Sequence, residues 1–212
     1  MMITTNQYLE LYPIKPDSQK LIVGTIHPHN HELFEVPFFY GNRNSIWKIL
    51  SLAFPEEFTL PLDVKSITTF LDRHKISVSD TIKKCKRKNN TAFDKDLIPL
   101  ELNTEIVSQI KNSQVTEIFF TSGFSTNNAC KLFLINILGY KKIPEQLRKE
   151  KQMVIEDFGR PIKLNVLISP SGSSNIGLSK SKIYLENKHK YLDSPRPIYD
   201  FKIDYYRKIF NL

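Results

Sequence analysis

Cysteine is scarce in this chain of 212 residues: Cys85 and Cys130 stand alone, with no CxxC and no second pair. Two thiols cannot hold a four-cysteine iron–sulfur cluster or a zinc ribbon, and their isolation fits reduced thiols in the cytosol. Glycine is scarce too, with 7 residues. Together with the lack of any repeat or low-complexity tract, this argues against a modular or linker-rich protein. No apolar run approaches the roughly 20 residues that span a bilayer. The opening stretch "MMITTNQYLELYPIKPDSQK" has neither a basic leader nor an apolar signal core, so no export is expected and the expected location is cytoplasmic. Acidic residues fall short of basic ones, 22 against 30, which leaves a formal charge of +8 at pH 7. That excess favours polyanionic partners. Much of it sits in "KKCKRK" (83–88) and "KKIPEQLRKEK" (141–151), runs that read equally well as solvated faces.

What is present suits one globular domain over residues 1–212, with 41% hydrophobic and 25% charged residues and enough length for a sizeable core. Three short apolar runs read as buried strands: "KLIVGT" (20–25), "TEIFFTS" (116–122) and "KLNVLIS" (163–169). Each is continuous rather than alternating, as parallel strands covered on both faces are. "MVIEDFGRPIKLNVLI" predicts a hairpin feeding the third strand, with its turn at "FGRP". Helices are predicted over 44–54, over 62–75 with Asp63 as cap, and over 125–138 from Ser125 or Thr126, while 199–210 reads as a last helix or an extended arm. The expected fold is α/β: a three-layer α/β/α sandwich around a central, mainly parallel, four-stranded sheet. Ligands of such sheets bind beyond the carboxyl ends of the strands. The polar stretches "IHPHNH", "GFSTNN" and "PSGSSN" follow the three strands there.

Three clusters carry chemistry. "GTIHPHNH" (24–31) holds His27, His29 and His31 at alternate positions, where imidazoles can serve as metal ligands, as a base or as loop polarity. A zinc site needs all three rings to converge, and no carboxylate or thiolate is placed to complete it, so no metal is expected. "FFYGNRNSIW" (38–47) combines Tyr40, Arg43, Asn44 and Trp47. Tyr40 sits at a glycine turn that frees its ring from the core. Asn44 offers both donor and acceptor, Arg43 can meet a phosphate or a carboxylate, and Trp47 is expected to anchor the following helix. "SPSGSSN" (169–175) gathers hydroxyls and close-approaching amides suited to an anion. A serine nucleophile is not expected, because there is no GxSxG elbow.

The order "LIVGTIHP", "FFYGNRNSIWKIL", "HKISVSDTIKKCKRKNNTAFDKDL", "EIFFTS", "VLISPSGSSN", "YDFKIDYYRKIF" resembles the uracil-DNA glycosylase superfamily over nearly the whole chain. It is most similar to the bacterial branch related to mismatch-specific and hypoxanthine-DNA glycosylases. The resemblance implies hydrolysis of the N-glycosidic bond of a base flipped out of DNA, in base-excision repair, by a monomer without a cofactor. It implies that His27 stands where the family carries a water-positioning Asp or Asn before a proline. His27 and Asn44 become the catalytic candidates. Gly24, Thr25, Tyr40 and Ser169 become the substrate-binding ones, Tyr40 as the stacking ring and Ser169 where uracil enzymes have a histidine. Arg43, Ser171, Ser173, Asn175 and Ile176 would meet the DNA, Ile176 or Leu178 as a wedge. The departures at 27 and 169 leave a second reading open, a nucleic-acid-binding protein that kept the fold without catalysis. A metal hydrolase using the three histidines is a third.

Overall fold

The chain divides into two compact units, one running to Leu33 and again over Leu71–Leu167, the other comprising Phe34–Phe70 and Ile168–Leu212. The structure is a computed structural model and describes residues 2–42, 45–89, 91 and 93–212. In chain order its elements are β1 (Met2–Thr5), β2 (Lys20–Gly24), α1 (Ser45–Ala53), α2 (Val64–Arg73), β3 (Ile76–Asp80), β4 (Ile82–Arg87) and β5 (Leu97–Leu102). There follow α3 (Glu105–Lys111), β6 (Glu117–Phe120), α4 (Ala129–Lys131, continued by a π-helical stretch over Leu132–Ile137), α5 (Glu145–Glu150), β7 (Gln152–Ile155) and β8 (Ile162–Val166). The last helices are α6 (Asn175–Leu178), α7 (Lys182–Asn187) and α8 (Pro197–Phe210).

In the first unit a five-stranded sheet runs in the order β3-β2-β6-β8-β7. The first four strands are parallel, with Ile22 opposite both Val78 and Phe119 and Ile118 opposite Leu164; β7 pairs antiparallel with β8. Leu21, Ile22 and Val23 are fully buried, as continuous apolar strands covered on both faces must be. Ile106, Ile110, Phe133 and Leu134 from α3 and the α4 region join Leu21, Val23, Phe120 and Leu164 in one core. A second, antiparallel sheet has the order β1-β4-β5.

The α/β class holds, but the central sheet has five strands where four were expected. The missing strand is β3, "ISVSD", all five residues of which are buried. Its two serines are satisfied inside the fold, Ser77 by Ser18 and Ser79 by Asn103, so polarity hid a strand that hydrogen bonds make buriable. The basic run 83–88 lies largely in β4. The helix expected from Ser125 or Thr126 starts later, at Ala129. Asn127 has a left-handed φ of 59° and its amide donates to the carbonyls of Asp94 and Leu97, which holds "STNN" as a loop.

The second unit is mainly helical. Ile46, Trp47, Ile49 and Leu50 of α1 are fully buried, and the Trp47 indole donates to the Phe39 carbonyl at 2.6 Å. Arg207 of α8 donates to the Ala53 carbonyl at the end of α1, filling an acceptor a helix terminus leaves open. Asp63 caps α2 as expected, accepting from the Ser66 amide at 2.6 Å. Among the described residues, no helix is long and apolar enough to cross a membrane.

Candidate functional site

Strands β2, β6 and β8 lie side by side and point the same way, so the chain leaves all three at one edge of the sheet. At that edge of the first unit two carboxyls meet hydroxyl and amide donors. Asp80 closes β3, 4% exposed, and accepts from the Asn6 amide at 2.8 Å. Burial pushes its carboxyl up to about 7, against the pull of Asn6, with Asp94 adding to the rise. Asp94 arrives from the turn before β5 and is half-buried. Thr25, just past β2, donates its hydroxyl to Asp94 Oδ1 at 2.8 Å. The Asn128 amide, oriented to suit its neighbours, donates to Asp94 Oδ2 at 3.1 Å and accepts from the Gly123 amide. Burial raises Asp94 above the usual carboxylate range, opposed by hydrogen bonds from Thr25 and Ser122 and by the charge of Arg87.

His27 lies beside this edge, 5% exposed. Its Nδ1 bonds the Pro28 carbonyl at 2.7 Å while Nε2 accepts from the Gln7 amide at 3.1 Å, which fixes a neutral ring protonated on Nδ1. Burial holds its pKa below the usual imidazole range, the Pro28 carbonyl pulling the other way. The lone pair a water-activating base needs is therefore already engaged by the main chain. Arg87 of β4, 2% exposed, donates to the His27 carbonyl at 2.6 Å, to the Thr91 carbonyl and to the Thr4 hydroxyl. His29 bonds the Thr4 hydroxyl through Nδ1, and His31 contacts the His29 carbonyl and Glu32. Among the described residues no group of three His, Cys, Asp or Glu side chains is arranged for a metal. The Gly24 carbonyl is taken by the amide and hydroxyl of Thr81, so Gly24 serves the strand end, and Thr25 is the residue of that pair with a functional side chain.

The second unit holds the other candidates. Tyr40 has a left-handed φ of 60°, costly for a residue with a side chain. It is kept there by a turn in which the Gly41 amide donates to the Phe38 carbonyl and the Val36 amide to the Gly41 carbonyl. A Cβ on Gly41 would come within 1.8 Å of the Val36 oxygen, so only glycine fits. The Tyr40 ring is half-buried and stands edge-on to Trp47, centroids 6.4 Å apart. Arg43 and Asn44 lie outside the described residues.

The serine stretch is a folded loop. Ser171 accepts from the Ser173 amide and shares a 2.9 Å hydrogen bond with the Ser173 hydroxyl. Ser169 Oγ accepts from the Ser171 amide. Ser174 donates to the carbonyls of Ser169 and Ser171. From α8, Lys202 reaches under the loop and donates at 2.9 Å to both the Ser171 carbonyl and the Ser174 hydroxyl. Lys202 is 1% exposed, and burial draws its pKa down to about 8. Asn175 Oδ1 is buried without a hydrogen-bond partner among the described residues. Of the two wedge candidates, Leu178 is buried against Tyr184 and Phe201, whereas Ile176 is 75% exposed.

Sequence reasoning missed Asp80, Arg87, Asp94 and Lys202. The signals were slight: acidic residues closing "NNTAFDKDL" after a basic run, and one lysine on the inner face of α8. Neither a protein-family model nor a curated protein matches the chain.

Proposed function

We propose that the protein is a monofunctional DNA glycosylase of the uracil-DNA glycosylase superfamily, with the three-layer α/β/α arrangement of that group. It would hydrolyse the N-glycosidic bond of a flipped, deaminated or mismatched base, uracil- or hypoxanthine-like, in base-excision repair. The observation that carries this reading is the set of parallel strands β2, β6 and β8, from which the motif-bearing polar segments leave at one edge. The basic charge of the chain suits a polyanionic substrate.

The transition state of this reaction separates charge: the sugar becomes positive as the base departs with the bonding pair. In this reading carboxyl groups stabilise the positive sugar and order the attacking water, and polar side chains hold the base and the phosphates. Tyr40 stacks on the extruded base, Ser169 offers its hydroxyl to the leaving base, and Ser171, Ser173 and Asn175 meet phosphates over the buried Lys202 ammonium. Ile176 enters the gap in the base stack, as exposed apolar residues do at kinked steps. Arg43 keeps its role as a DNA contact and Asn44 its role as a catalytic candidate. The protein acts as a monomer, in the cytoplasm, without cofactor.

Incubation with duplexes and single strands carrying uracil, hypoxanthine or a mismatch, followed by alkali, should yield strand breaks at one or more of these bases. Uncut substrates throughout would refute the enzyme. Retained binding in that case would favour a nucleic-acid-binding protein without catalysis, a reading kept alive by the engaged ring of His27.

A further inference from the structure

We infer that Asp94, and not His27, is the carboxylate that orients and deprotonates the attacking water. The inference rests on the glycosylase reading and concerns the same edge of the sheet.

The position before Pro28 carries an imidazole whose two nitrogens are both committed to main-chain groups. The carboxylate absent from the first loop is supplied across space, from a residue 69 positions away that bonds Thr25 of that loop. A carboxylate has about four acceptor positions. Thr25, Ser122 and Asn128 occupy three at Asp94, which leaves one for a water. All four of these residues are half-buried, whereas Asp80 is buried. Hydroxyl and amide donors favour the ionised form. With more of them on Asp94, the pair divides its labour: Asp80 keeps its proton up to about pH 7, and Asp94 carries the negative charge. The same separation of two carboxyls by environment underlies acid and base roles elsewhere. Asp80 and the Arg87 guanidinium are the charged neighbours that act on Asp94.

In the step itself the water oxygen bonds to C1′ as the C1′–N bond breaks. The bonding pair leaves on the base, which takes a proton from solvent. The water's proton passes to Asp94, which then releases it to solvent.

The test is single-turnover cleavage of whichever damaged duplex the wild-type protein cuts, read together with duplex affinity and thermal midpoint. Asp94→Asn should lower the rate by about 100-fold or more, the usual contribution of a general base, with affinity changed by less than about threefold. Thr25→Val removes a hydrogen bond that holds Asp94 down, so it should move the acid limb of the rate profile to higher pH, a shift that a bracing role for Asp94 would not produce. Should Asp94→Asn cut within about threefold of wild type, or should the acid limb stay in place in Thr25→Val, Asp94 is not the base although the enzyme stands. A wild-type protein that cuts nothing removes both readings.

Discussion

The acid edge of the first unit and the serine loop of the second solve opposite problems. At the edge, Asp80 and Asp94 are buried or half-buried carboxyls held by the amide and hydroxyl groups of Asn6, Thr25 and Asn128. Under the serine loop, Lys202 is a buried ammonium held by a carbonyl and a hydroxyl. Burial disfavours the charged form in both places, raising the acids and lowering the lysine. Each region thereby stores a charge that neutral groups have not spent. The difference teaches that burial works against charge of either sign, and that each region answers it with hydrogen bonds from neutral groups.

The largest way to break the comparison is Arg87→Ala. It leaves the His27 and Thr91 carbonyls and the Thr4 hydroxyl without their donor inside the protein, and should cost about 3 kcal/mol in urea unfolding. Loss of that order would place the cation among the structural parts of the edge, whereas a value near zero would mean the edge does not depend on it.

The next two changes sharpen the contrast through pH. Asp80 has a folded pKa above its unfolded one, so the native state holds the extra proton between about 4 and about 7. Wild-type stability should fall as pH rises through that window, and Asp80→Asn should flatten the fall. Lys202 has a folded pKa of about 8, below its unfolded value, so the unfolded chain binds more protons above that point. Stability should therefore rise from about pH 8 toward the ordinary lysine range, a gain that Lys202→Met should lack. Thermal midpoints across pH 4–10 read both slopes, and slopes of the same sign would end the comparison.

The smallest expected effect is at Ile176, 75% exposed. Ile176→Ser should leave stability within about 0.5 kcal/mol while weakening damaged-duplex binding. Leu178→Ala, by contrast, should destabilise by about 2 kcal/mol or more, because Leu178 packs in the cluster with Tyr184 and Phe201.

The parts of this molecule legible in sequence are those fixed by local physics. The runs at 20–25, 116–122 and 163–169 are apolar enough to be strands wherever they sit, Asp63 caps its own helix, and Gly159 supplies the left-handed turn, φ 74°, of the expected hairpin. What stayed hidden depends on distant partners. "ISVSD" reads as a polar stretch until Ser18 and Asn103 are seen to satisfy its serines. Asp94 looks like any surface acid until the fold brings Thr25 and Asn128 to it. His27 looks like an available base until the Gln7 amide occupies Nε2, and Lys202 is one of three cations on α8 until its ammonium is found under the serine loop.

The amino-terminal stretch has a bearing on how this protein should be handled. Thr4 bonds both Arg87 and His29, the Asn6 side chain restrains the Asp80 carboxyl, and the Gln7 amide occupies the imidazole of His27. Three residues within a stretch of four thus brace the acid edge, although they precede every polar loop discussed above. A version trimmed before Tyr8 would lose all of these restraints on His27, Asp80 and Arg87 at once.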